Sequence, residues 1–158
     1  VNVEEKQENY EVIFDGMKAL IEGEKDWIAN LANVSALLYQ QLEDVNWLGF
    51  YLMKEGELVL GPFQGKPACI RIEIGSGVCG SAVEDGKTYI VDDVHKFNGH
   101  IACDPNSSSE IVVPLFYDEE IIGVLDIDSP TLNNFDEVDK KYLEKMMDHL
   151  LKGSNVEQ

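Results

Sequence analysis

The sequence predicts an α+β fold: about six strands in a mainly antiparallel sheet, N- and C-terminal helices packed on one face, and a ligand pocket on the other. Three observations lead there. Apolar residues recur at helical spacing near the N-terminus, from Tyr10 to Leu38. Short apolar and aromatic runs separated by turn residues occupy the chain from Val45 to Asp128. A last helical stripe runs from Phe135 to Leu150. With 158 residues the expectation is one domain spanning 1–158, large enough to hold its core without a disulfide or metal staple.

Tyr10, Ile13, Phe14, Met17 and Ile21 form the first amphipathic helix, which ends near Gly23. Asp26 suits the N-cap of a second helix with a stripe of Trp27, Leu31, Val34 and Leu38. VNWLGFYLM reads as a strand, KEGE as a turn and LVLGPF as the returning strand. ACIRIEI makes a third strand, GSGVCGSAVEDG a Gly-opened loop into a short helix, and TYIVDDV a further strand. Residues 95–109 form a long polar loop, of a kind that is usually functional or disordered. IVVPLFY and IIGVLDID form a hairpin around a three-residue turn at Asp118–Glu120. Asn134 and Glu137 bracket a capping box for the closing helix, whose face is Phe135, Val138, Tyr142, Met146 and Leu150. The first and last helices are expected to pack together, and their stripes also suit a homodimer face.

Composition narrows the partners. Thirty acidic residues against 12 basic ones give a formal charge of −18, which repels phosphate backbones and anionic membrane surfaces. No apolar run approaches the roughly 20 residues of a membrane span, and the polar start VNVEEKQENY has no signal-peptide core. A cytoplasmic location is therefore expected, with no nucleic-acid or membrane partner. Three cysteines, Cys69, Cys79 and Cys103, cannot all pair within one chain. In a reducing compartment such thiols point to catalysis or redox sensing rather than staples.

Period-2 geometry sorts the remaining candidates. Trp47 and Tyr51 share one strand face, as do Asp126 and Asp128. Two carboxylates in an otherwise apolar strand are costly to bury without a bound partner, and their repulsion favours keeping a proton. Hairpin register brings Val112 near Asp126 and Glu110 near Asp128, so three acids line one cavity mouth. Cys103 lies seven residues before Glu110, in a polar loop where a cysteine is placed to be reached. Cys79, His95, His100 and Cys103 are zinc-type ligands, but they lack paired C-x-x-C spacing, and neither metal nor organic cofactor is expected. GSGVCG lacks the Lys and Ser/Thr of a P-loop. Thiols beside carboxylates suit redox chemistry at sulfur: a thiol reductase, a peroxidase or a redox sensor.

The blocks NWLGFY, LVLGPFQGKPAC, GVCG, DVHKFNGHIACD, SSSEIVVPL and GVLDIDSP, with cysteine separations of 10 and 24 residues, resemble the free methionine-(R)-sulfoxide reductases. These are small GAF-domain enzymes, and the resemblance runs from about Asp26 to Asp139. It implies Cys103 as catalytic cysteine, Cys69 as resolving cysteine, and Cys79 as a pocket thiol available for disulfide exchange. It further implies Trp47, Tyr51, Glu110, Asp126 and Asp128 as the substrate-binding wall. The implied cycle leaves a sulfenic acid on Cys103, closes a disulfide with Cys69, and uses thioredoxin as reductant. The alternative from the same fold is a GAF-type sensor of a small ligand or of redox state, without turnover.

Overall fold

A computed structural model of the chain describes residues 2–99 and 106–156. Helix α1 (Val3–Ile21) starts where the Asn2 side chain accepts the Glu5 N–H, and it buries Tyr10, Ile13, Met17 and Ile21. Helix α2 (Trp27–Gln41) is capped by Asp26, which accepts the Ala29 N–H as expected. The strands are β1 (Trp47–Lys54), β2 (Glu57–Gly65) and β3 (Arg71–Ile72), then, after helix α3 (Gly77–Asp85), β4 (Tyr89–Val91), β5 (Ser109–Tyr117) and β6 (Glu120–Ser129). A 3-10 turn at Val94–Lys96 follows β4, and helix α4 (Glu137–Lys152) follows β6.

The strands form one six-stranded antiparallel sheet in the order β3-β2-β1-β6-β5-β4. Alternation along the central strands divides the buried side chains between two faces. On one face Leu48, Phe50, Ile111, Val113, Leu125 and Ile127 join α1, α2 and α4 in the main core. On the other, Trp47, Tyr51, Val112 and Val124 pack with α3 residues Val78, Cys79 and Ala82. Each fully buried large aliphatic or aromatic side chain contributes about 1.5–3 kcal/mol.

Helices α1 and α4 do pack together. Tyr10 and Tyr142 stack with ring centroids 5.3 Å apart, and the Tyr10 hydroxyl donates to buried Asp139. Lys6 Nζ lies 2.5 Å from the other Asp139 oxygen, so this carboxylate is paired rather than stranded.

Four local expectations are corrected. The capping box of α4 is built by Asp136 and Asp139, not Asn134 and Glu137. Asn134 is drawn away because its amide donates to the Glu43 and Asp44 carbonyls. The β5–β6 turn has two residues, Asp118 and Glu119, both at positive φ, and a bulge at Leu115/Phe116 supplies the missing offset. The register with Glu110 opposite Asp128 and Val112 opposite Asp126 is therefore as expected. The ACIRIEI strand shrinks to Arg71–Ile72, because the residues before it are tied to the pocket wall instead of a neighbouring strand. The TYIVDDV strand shrinks to Tyr89–Val91, since Asp93 turns its side chain to the His95 N–H and starts the 3-10 turn.

Candidate functional site

Strand β1 supplies the aromatic wall of the pocket. Trp47 and Tyr51, four residues apart, face the same way with ring centroids 5.9 Å apart, and Phe63 from β2 stacks on Trp47 at 5.2 Å. Gly49 lies between them, and a Cβ there would stand 2.2 Å from the Phe63 Cβ, so only glycine admits this packing. Both polar tips of the wall hold the chain that crosses in front of it. Trp47 Nε1 donates to the Lys66 carbonyl at 3.0 Å, and the Tyr51 hydroxyl donates to the Cys69 carbonyl at 2.8 Å.

The floor is acidic. Glu110 on β5 and Asp126 on β6 are each 6% exposed, and half-buried Asp128 sits opposite both Glu110 and Trp47. Helix α3 closes the third side with Ser76, Gly77, Val78 and the buried thiol of Cys79. Its close approach depends on Gly80, where a Cβ would stand 2.4 Å from the Glu73 carbonyl. These elements, with Lys66–Ala68 and Ser107, line one cavity.

Electrostatics in this cavity follow from burial and like charge. Burial pushes the Glu110 carboxyl well above its ordinary value, and Asp126 and Asp128 push it further, so Glu110 holds a proton in exchange with its neighbours. Asp126 is raised by burial, while hydrogen bonds from Glu110 and Cys79 act in the opposite direction. Burial, followed by Asp126, Glu110 and Asp128, keeps the Cys79 thiol protonated, and it donates to Asp126. One oxygen of that buried carboxylate, Asp126 Oδ1, has no hydrogen-bond partner among the described residues. A buried anionic oxygen left open toward a cavity is a seat for a cationic group.

These shifts have a measurable consequence for stability. The folded state keeps the Glu110 proton where the unfolded chain has already lost it. Its stabilising share is complete below about pH 4.3 and is lost as pH rises through the folded value. Glu110→Gln keeps the volume but cannot ionise. The variant is expected to gain thermal stability relative to the native chain as pH rises from about 4 to about 8, read by parallel melts. A difference constant across that range would contradict the assignment.

Six of the eight residues singled out in the sequence meet in this cavity: Trp47, Tyr51, Cys79, Glu110, Asp126 and Asp128. Cys69 directly follows the lining residue Ala68 and is half-buried and disulfide-bonded. Cys103 lies outside the described residues. Of the zinc-type residues, His95 is exposed, while His100 and Cys103 lie outside the described residues. The metal-ligand-like group among the described residues is instead Cys79, Glu110 and Asp126, whose ligand atoms lie within 4.8 Å of one another. Sequence reasoning missed Ser107, one of three consecutive serines with nothing to distinguish it, and the contribution of Ser76 and Gly77 through the start of α3.

An antiparallel sheet with terminal helices on one face and a small-ligand pocket under a short helix on the other defines a GAF domain, and the GAF domain family model matches residues 29–151. Within that class, the chain belongs to the free methionine-R-sulfoxide reductase family. It is 51% identical over 147 residues to the free methionine-R-sulfoxide reductase of Escherichia coli, covering 93% of this chain and 89% of that protein. It is 55% identical over 151 residues to Protein YtsP of Bacillus subtilis, covering 94% and 93%. Among solved structures, the fRMsr of Staphylococcus aureus in complex with substrate superposes with a TM-score of 0.88 at 54% identity, covering 92% of this chain and 95% of that one.

Proposed function

We propose that residues 1–158 act as one catalytic domain that reduces free L-methionine-(R)-sulfoxide to methionine by thiol chemistry. The observation that carries this reading is the unpartnered Asp126 Oδ1 in a buried acidic floor facing an aromatic wall. A free amino acid brings an ammonium for the floor and a carboxylate for the start of α3, where Ser76 provides no side-chain cap and the first-turn N–H groups lack intrahelical acceptors. A methionine within a peptide brings neither charge. Trp47 suits the sulfur end, through a thioether–aromatic contact.

In the proposed cycle the Cys103 sulfur attacks the sulfoxide sulfur. The sulfoxide oxygen passes to Cys103 as the sulfenic acid, and methionine departs. Glu110, held protonated, or Asp128 donates the proton that the oxygen needs as the S–O bond breaks. The Cys69 thiol then attacks the sulfenic sulfur, giving the Cys69–Cys103 disulfide and water. Two features support that pairing: Cys69 is disulfide-bonded, and Cys79 is a free, buried, protonated thiol poorly placed for exchange. A dithiol reductant such as thioredoxin in a reducing cytoplasm returns both thiols. No helix among the described residues is long and apolar enough to cross a membrane.

The test is methionine release from the separate R and S epimers of free methionine sulfoxide, with dithiothreitol as reductant. Release from the R epimer alone is expected. No release from either epimer by a folded, reduced chain would leave the sensor alternative as the working assignment.

A further inference from the structure

We infer that Ser107 is a substrate-contacting residue whose hydroxyl donates a hydrogen bond to the sulfoxide oxygen. The inference rests on the function proposed above and adds a specific contact to it.

Ser107 lines the cavity, is 5% exposed, and its Oγ has no hydrogen-bond partner among the described residues. A buried hydroxyl without a partner is uncommon, because its desolvation goes uncompensated. Its place is held by the backbone on the next residue: Ser108 N donates to the Ser129 carbonyl at 2.7 Å, and the Ser108 carbonyl accepts from Val94 N at 2.9 Å. The adjacent Ser109 differs, since its hydroxyl donates to the Thr131 carbonyl at 2.6 Å, away from the cavity. Ser107 is thus the buried hydroxyl of this tract left open to a ligand.

The chemistry of the other lining groups selects its acceptor. The substrate's ammonium is a donor and is matched by the open oxygen of Asp126. The hydroxyls and N–H groups of the aromatic wall are engaged with the carbonyls of Lys66 and Cys69, and the Cys79 thiol is engaged with Asp126. The sulfoxide oxygen is a strong acceptor that must lie beside the acid that protonates it. Glu110 is three residues beyond Ser107, on the strand that Ser107 leads into. A fixed neutral donor there meets the oxygen in the substrate and strengthens as charge develops on it during attack.

The experiment compares Ser107→Ala with the native chain in three measurements: kcat/KM for free methionine-R-sulfoxide, affinity for methionine, and thermal midpoint. Methionine lacks the sulfoxide oxygen and so reports on every contact except the proposed one. The expected result is a roughly ten- to hundred-fold loss of kcat/KM. Methionine affinity should stay within about two-fold, and the thermal midpoint should be unchanged or higher, because the hydroxyl has no internal partner to lose. A native-like kcat/KM overturns the inference. So does an equal loss of methionine affinity or a lowered midpoint, either of which marks a structural role. A native chain that turns over no sulfoxide overturns the underlying function instead, and that result is read from the native control alone.

Discussion

Cys103→Ser is expected to abolish methionine release from free methionine-R-sulfoxide, by at least about a thousand-fold, because a serine hydroxyl is neither ionised near neutral pH nor able to carry the oxygen away as a sulfenic acid. A companion variant separates attack from resolution. In Cys69→Ser the first step is intact, so one equivalent of methionine per chain should appear without reductant, and the protein should gain one oxygen. Quench-flow methionine assay with intact-mass measurement reads both. A Cys103→Ser chain that still releases one equivalent would place the nucleophile elsewhere, with Cys79 next in line. That outcome would be surprising for a thiol enclosed by three acids and held protonated by burial.

Asp126→Asn should produce the second largest effect. Asparagine can still accept from Cys79 and Glu110, so the internal hydrogen bonds have a substitute. What disappears is the negative charge proposed to face the ammonium. Removing one member of a buried charge pair costs about 2–5 kcal/mol. At the middle of that range kcat/KM falls by roughly 400-fold, mostly through KM. Free methionine carries the same ammonium, so its affinity should fall by the same factor. Calorimetric titration with methionine decides the point: unchanged affinity would remove Asp126 from substrate binding. The contrast with Ser107→Ala, which should spare methionine affinity, assigns the two residues to opposite ends of the substrate.

Much of this site was legible because strand geometry is simple. The shared face of Trp47 and Tyr51 followed from period-2 alternation, and so did the shared face of Asp126 and Asp128. The pairing of Glu110 with Asp128 followed from hairpin register, although the turn and the bulge that create it were not visible separately. Patterns with a single reading were recovered. Helix stripes predicted α1, α2 and α4, and Asp26 was correctly read as a cap. What sequence could not resolve were choices settled by distant contacts. Asn134 and Asp136 are both acceptable caps, and the carbonyls of Glu43 and Asp44 decide between them. Three serines in a row are equivalent on paper. Only the fold ties Ser109 to Thr131 and leaves Ser107 open to the cavity. Strand β3 is short for the same reason, since its approach is held by the tips of Trp47 and Tyr51.

Those two side-chain hydrogen bonds give the aromatic wall two duties at once. Both rings border the cavity, while their polar tips carry the backbone of Lys66 and Cys69. Tyr51 therefore touches both the cavity and the Cys69 backbone, and a coupling between ligand binding and Cys69 reduction that runs through it is reciprocal. Whatever factor reduction of Cys69 applies to methionine affinity, bound methionine applies to the reduction equilibrium of Cys69. Product accumulation would then register as a shift in redox poise, with the tyrosine as the common lever.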